Sequence, residues 1–193
     1  MARPRNFNQD QVLDQAIEVF WEQGFHATSY EDLVSRMGIN RASMYNTFGD
    51  KHQLYVQALQ RYRENSRLQF DRWRTHEGSI QKTIRMILSE AAQECVNDPQ
   101  RKGCMVVNSA TELGPSDPEI AEIVRENQQR VEQVLSELFT EAQQKGEIGT
   151  DLRPEALARF YYNTFSGLRV MGRANPDAAI YQDVVDVALR VIE

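Results

Sequence analysis

The chain has 193 residues, 41% of them hydrophobic and 26% charged, enough apolar material for a substantial core and too ordinary a balance for a disordered polymer. Cys95 and Cys104 form no disulfide framework and no metal-ligand spacing, no run reaches the ~18 apolar residues of a membrane span, and the first six residues are no apolar leader, so a cytoplasmic protein without metal, cofactor or membrane partner is expected. A net charge of −6 argues against strong non-specific binding to polyanions.

Asn8 and Gln11 predict the start of a first helix, with Phe7 and Val12 placed as a hydrophobic staple and Gly24 as its end. Ser29 caps a second helix with Asp32 at N3; Leu33, Val34 and Met37 give its apolar stripe, and Gly38 suits the left-handed geometry that stops it. Asn40 caps a third helix at once. At about 100° per residue, Met44 and Phe48 share one side while Asn46 lies opposite, beside Ala42, Ser43 and Tyr45. One face packs and the other is free to meet a major groove, the division of labour of a helix-turn-helix; an ordinary helical hairpin is the alternative.

Asp50 and Gln53 repeat the capping pattern and open a long helix through Leu54, Tyr55, Ala58, Leu59 and Tyr62, predicted to run to about Glu77-Gly78. Ser79 caps a helix carrying Ile80, Ile84, Ile87, Leu88 and Ala91. A short segment from Gly103 to about Leu113 follows, then a helix with Pro118 at N1 that ends near Lys145-Gly146. Pro154 opens a helix with Leu157, Phe160, Tyr161, Phe165, Leu168 and Met171, and Asn175-Pro176-Asp177 turns it into a last one with Ile180, Val184, Val185 and Ala188. These two have more apolar surface than a small domain needs, with Gly167 permitting close approach, so a four-helix homodimer interface through Leu168, Val184 and Ala188 is expected; plain core is the alternative.

Residues 8 to 55 resemble the tetracycline-repressor (TetR) family. The matching words are Ala16-Ile17 through Phe20, Gly24-Phe25-His26-Ala27-Thr28-Ser29, Met37-Gly38-Ile39, Ser43-Met44-Tyr45-Asn46-Thr47-Phe48, and Asp50-Lys51 with Leu54. The family usually has leucine in place of Met44 and often an aromatic or histidine in place of Asn46. The resemblance implies an all-α protein: an N-terminal three-helix helix-turn-helix domain over residues 1–52, and a C-terminal helical bundle over residues 53–193 that binds an effector and dimerises.

On the DNA side, Ser43 and Tyr45 are candidate phosphate donors, Arg41 and Asn46 base readers, Ala42 their neighbour on the same face, and Thr28, Ser29 and Lys51 further phosphate contacts. Arg3 and Arg5 are candidates to follow the minor groove or a phosphate, with a solvated, disordered arm as the equal alternative. Residues 1 to 55 still hold five cations against seven acids, so specificity has to lean on hydrogen bonds and dimer geometry. For an effector, Phe70, Trp73, Phe139, Tyr161, Tyr162 and Phe165 are candidate cavity walls, with simple core packing the commoner alternative for most of them, and Asn108, Thr111 and Glu112 are polar candidates to face a pocket that are better placed at the surface. Cys104, after Arg101-Lys102-Gly103 at a helix start, is a candidate reactive cysteine through which an electrophile or oxidant would act; burial as a small hydrophobe is the alternative.

His26, His52 and His76 are scattered, and there is no nucleophile elbow, HExxH or glycine-rich phosphate loop, so an enzyme is not expected. The expected partners are double-stranded operator DNA, a second copy of the chain and a small-molecule effector of unknown identity that releases the DNA. A helical adaptor that binds ligand or protein without DNA is the rival.

Overall fold

A computed structural model describes residues 7–193, apart from the side chain of Arg67, and is all-helical over them. In chain order the helices are α1 Gln9–Gln23, α2 Tyr30–Met37, α3 Arg41–Phe48, α4 Lys51–Asn65, α5 Arg67–Thr75, α6 Ile80–Asn97, α7 Met105–Glu112, α8 Pro118–Gln144, α9 Pro154–Ala174 and α10 Ala178–Leu189, closed by a single 3₁₀ turn. Arg3 and Arg5 lie outside the described residues.

The local rules that start and stop these helices hold. Asn8, Asn40 and Ser79 accept first-turn N–H groups, and Ser29/Asp32 and Asp50/Gln53 are complete reciprocal capping boxes. Gly38 sits at φ +66°, where a residue with a Cβ is strained. One expectation fails: the helix from Asp50 breaks at Ser66 instead of running to Glu77. The Ser66 N–H falls back on the Arg63 carbonyl at 3.2 Å and its hydroxyl on the Tyr62 carbonyl at 3.2 Å, so α4 ends there and α5 begins as a separate helix at Arg67.

That break separates two cores. The first is built by α1–α4 and includes Phe20, Leu33, Met44, Leu54 and Tyr55, together with Met105, Val106 and Leu113 of the α7 region and Ile120 and Ile123 of α8. The second holds Phe70 and Trp73 of α5 with the facing sides of α6, α8, α9 and α10. A boundary after residue 52 therefore falls inside α4, and the N-terminal core draws on chain 50 to 70 residues downstream of it. The α1–α4 unit and the start of α8 share one apolar interior, which gives each a mechanical hold on the other.

Candidate nucleic-acid interface

Helix α3 is anchored by Met44, fully buried, and Phe48, 5% exposed; Arg41, Ala42, Tyr45 and Asn46 are exposed and Ser43 is half-buried. Asn40 Oδ1 accepts the Ser43 N–H at 2.8 Å. The earlier N–H groups of this helix N-terminus are of the kind that binds phosphate.

At one end of the face, Tyr30 and Tyr45 stack with ring centroids 5.4 Å apart. The Arg41 guanidinium lies over the Tyr30 ring at 4.4 Å, with Glu31 at 3.8 Å. The Tyr30 hydroxyl accepts the Lys51 N–H at 3.4 Å. The neighbouring phenols act on each other: Tyr45, helped by burial, raises the pKa of Tyr30, and Tyr30, assisted by Arg41, lowers that of Tyr45. Stacking on Tyr30 thus holds both Tyr45 and Arg41. Asn46 lies on the exposed face, free of any such clamp among the described residues.

Three expected phosphate contacts are turned to other uses. Thr28 is 1% exposed and donates its hydroxyl to the Gly24 carbonyl at 2.6 Å, so it closes the α1–α2 turn and does not reach outward. Ser29 spends its hydroxyl on Asp32, donating at 2.6 Å and accepting the Asp32 N–H at 3.1 Å. The Lys51 ammonium donates to the Thr28 carbonyl and lies 4.6 Å from the centre of the Phe25 ring; burial lowers its pKa. Lys51 is a brace between the first turn of α4 and the α1–α2 turn.

Two contacts that sequence reasoning missed support this unit. Glu112, expected at the surface, accepts the Phe25 N–H at 3.0 Å and the His26 N–H at 2.7 Å. Gly24, at φ +86°, leaves room for it, since a Cβ there would come within 2.8 Å of the carboxylate. His52 Nε2 meets Asp117 Oδ2 at 2.6 Å, while Asp117 Oδ1 caps α8 through the Glu119 and Ile120 N–H groups. Asp117 titrates below an ordinary carboxylate: burial opposes the charge, but those N–H groups and His52 outweigh it.

The expected effector walls are packed. Phe70, Trp73, Phe139 and Tyr161 are each at most 5% exposed, and the space bordered by Trp73, Tyr161 and Phe165 is about 10 Å³, too small for any effector. Their size and helical spacing put them in the core. Asn108 instead braces a loop, donating to the Lys102 carbonyl at 2.8 Å. Cys104 is half-buried at the N-cap of α7. Lys102, expected to act on it, is committed to Glu18 at 2.8 Å and to the Trp21 ring at 4.2 Å. The expected dimer contacts also need correction. Leu168 and Ala188 are 3% and 2% exposed and belong to the subunit's own core, whereas Val184 is 37% exposed, as are, to similar or greater degrees, Phe160, Val170 and Met171 of α9 and Ile180 and Val187 of α10.

Among the described residues no group of three or more His, Cys, Asp or Glu side chains is disposed to hold a metal, and no helix is long and apolar enough to cross a membrane.

Comparisons with known proteins agree with the geometry. Residues 12–58 match the family described as bacterial regulatory proteins, tetR family, and residues 81–188 match the tetracyclin repressor-like C-terminal domain. The chain is 35% identical to the uncharacterized HTH-type transcriptional regulator YezE of Bacillus subtilis (strain 168), over the full length of both. It is 27% identical to the HTH-type transcriptional repressor ComR of Escherichia coli (strain K12), over 98% of this chain and 91% of that one. Among solved structures it superposes on a cysteine-substituted form of the TetR family transcriptional regulator CifR, complexed with 26 bp double-strand operator DNA, with a TM-score of 0.87, 26% identity and full coverage of both chains. With its N-terminal reading helix and its C-terminal bundle both matched, the chain belongs to the TetR family of bacterial transcriptional regulators.

Proposed function

We propose that the protein is a homodimeric repressor that reads a palindromic operator with Asn46, Arg41, Ala42, Ser43 and Tyr45 and releases it when a small molecule binds the C-terminal bundle. The observation that carries the reading is α3 itself: a capped helix fixed by Met44 and Phe48 that presents a short polar face, in a fold whose relative CifR was solved on operator DNA. Asn pairs with adenine and Arg with guanine in the major groove. The exposed apolar residues of α9 and α10 supply the dimer surface. Gly167 fits this, since a Cβ there would touch nothing within the subunit.

Two recognition helices must sit about 34 to 36 Å apart to enter successive major grooves. An effector that prefers any other spacing weakens DNA binding by the factor by which DNA weakens effector binding. Such a regulator works in the cytoplasm and catalyses nothing. The test is sequence-specific, salt-dependent retention on a DNA fragment from the protein's own gene neighbourhood. Binding that does not distinguish that fragment from random DNA leaves the adaptor reading in its place.

A further inference from the structure

Between the DNA-facing unit and the C-terminal bundle lies a cavity of about 560 Å³, within the range of small-molecule sites. Its walls include Trp21 of α1, Tyr62 of α4, Glu94 and Cys95 of α6, Lys102 of the α6–α7 loop and Arg169 of α9.

Arg169 is 7% exposed, a rare burial for a residue with five N–H donors and a permanent charge. Its one hydrogen bond to a carboxylate runs from Nη2 to Glu94 at 2.6 Å, and its Nε has no acceptor. Glu94 is itself half exposed, so this ion pair neutralises a buried charge with a movable partner. Phe165 covers one face of the guanidinium at 4.6 Å.

The other charges at the cavity are spent. Asp98 accepts the Gln100 N–H at 3.0 Å and the Lys102 N–H at 2.6 Å, and Lys102 is held by Glu18 and Trp21. What the cavity leaves unsatisfied is donor capacity. A cationic ligand would have to take Glu94 from a buried arginine, whereas an anionic one replaces it. Trp21 and Tyr62, packed edge to face at 5.0 Å, offer an apolar wall.

We propose that this cavity binds a small apolar or aromatic monocarboxylate, its carboxylate on Arg169 in place of Glu94 and its apolar body against Trp21 and Tyr62. The proposal rests on the effector reading above and names the chemical class of the effector. It also supplies a route to the DNA. Trp21 Nε1 donates to the Gly103 carbonyl at 3.1 Å, and Gly103 approaches α9 so closely that a Cβ would come within 3.0 Å of the Arg169 carbonyl. A ligand that wedges between Trp21 and Arg169 strains this contact and tilts α1 against α9.

The test is calorimetric titration of the full-length protein with benzoate, phenylacetate and hexanoate, and with their neutral amides, at constant ionic strength. At least one acid is expected to bind saturably, and its amide roughly tenfold more weakly or worse, as expected for loss of a charge-assisted pair. Arg169→Met should abolish acid binding. Glu94→Gln, which keeps the shape and removes the competitor, should tighten it by about threefold or more; this variant decides the matter if Arg169→Met does not fold. No saturable acid in either wild type or Glu94→Gln, or amides equal to acids, overturns the site. Acid binding that leaves operator affinity unchanged upholds the site and removes its effector role, whereas operator binding that other compounds release while no acid binds does the reverse.

Discussion

Glu112 Oε1 accepts the backbone N–H of His26 at 2.7 Å across 86 residues of sequence, and its second oxygen takes the N–H of Phe25. The turn that sets α2 and α3 against α1 is therefore held from α7, a helix far downstream in the chain whose Met105 and Val106 share the first core. Glu112→Ala leaves two N–H groups without their acceptor, at about 1 to 2 kcal/mol of stability. Because Glu112 makes no contact with DNA in this reading, operator affinity should fall with no change in the slope of log K against log salt. A changed slope would place its carboxylate near the phosphates.

Asn46 and Lys51 separate reading from bracing. Asn46→Ala should cost about 1 to 3 kcal/mol of operator binding and relax preference at one base pair per half-site. Lys51→Ala should lower the melting temperature and keep the salt slope, since its ammonium is bonded to the Thr28 carbonyl and not offered outward. Competition against single-base operator variants checks the first, and thermal unfolding with binding at several salt concentrations checks the second. A Lys51→Ala protein of wild-type stability with a flatter slope would restore the phosphate contact.

The apolar residues of α9 and α10 divide between two jobs. Val184→Glu charges an exposed position and should give a folded monomer that no longer holds the operator, whereas Leu168→Ala empties a core site and should cost about 2 to 5 kcal/mol of stability. Sedimentation equilibrium and thermal unfolding tell the two outcomes apart. A dimeric Val184→Glu protein moves the interface elsewhere.

Asp117 makes the acid limb of stability informative. Its carboxyl titrates low in the folded protein, so its contribution is complete above the unfolded value of about 3.9 and is lost as pH falls through the lower, folded one. Asp117→Asn should therefore be less stable than wild type at neutral pH and lose less on acidification, with the two melting curves converging below about pH 4. Asp32 and Asp186 also titrate low and remain in the variant, so part of the acid limb should persist. Parallel curves would show that His52 and the α8 cap do not stabilise the Asp117 carboxylate.

What could be read from the sequence was what is decided within a turn or two. Ser29, Gly38, Asn40 and Asp50 cap or stop helices through neighbours three or four residues away, so they and the face of α3 were legible. Ser66 was not, because the break there follows a change of packing partner. Glu112 with His26, His52 with Asp117 and Arg169 with Glu94 meet across 86, 65 and 75 residues. No periodicity encodes such pairs; they follow from how helices stack. Leu168 and Ala188 show the converse error. α9 and α10 are apolar on more than one side, and spacing alone does not tell the stripe facing the core from the stripe left for a partner.

The two thiols offer a last contrast. Cys95 is 5% exposed, and burial raises its pKa even with Arg169 nearby, which marks it as inert packing at the contact between α6 and α9. A Cβ on Gly172 would come within 2.6 Å of its sulfur, so no adduct fits there without moving α9. Cys104 is half-buried at the N-cap of α7, beside the Tyr62 hydroxyl that borders the cavity. Iodoacetamide at neutral pH should therefore alkylate Cys104 well before Cys95, with mass spectrometry of the digested protein reporting both. If modification at Cys104 drives release, the labelled protein should lose operator affinity and a Cys104→Ser protein treated alike should keep it. Equal, slow labelling of both thiols, or release that survives the substitution, would make Cys104 a packing residue and leave the Arg169 cavity as the route by which an effector acts.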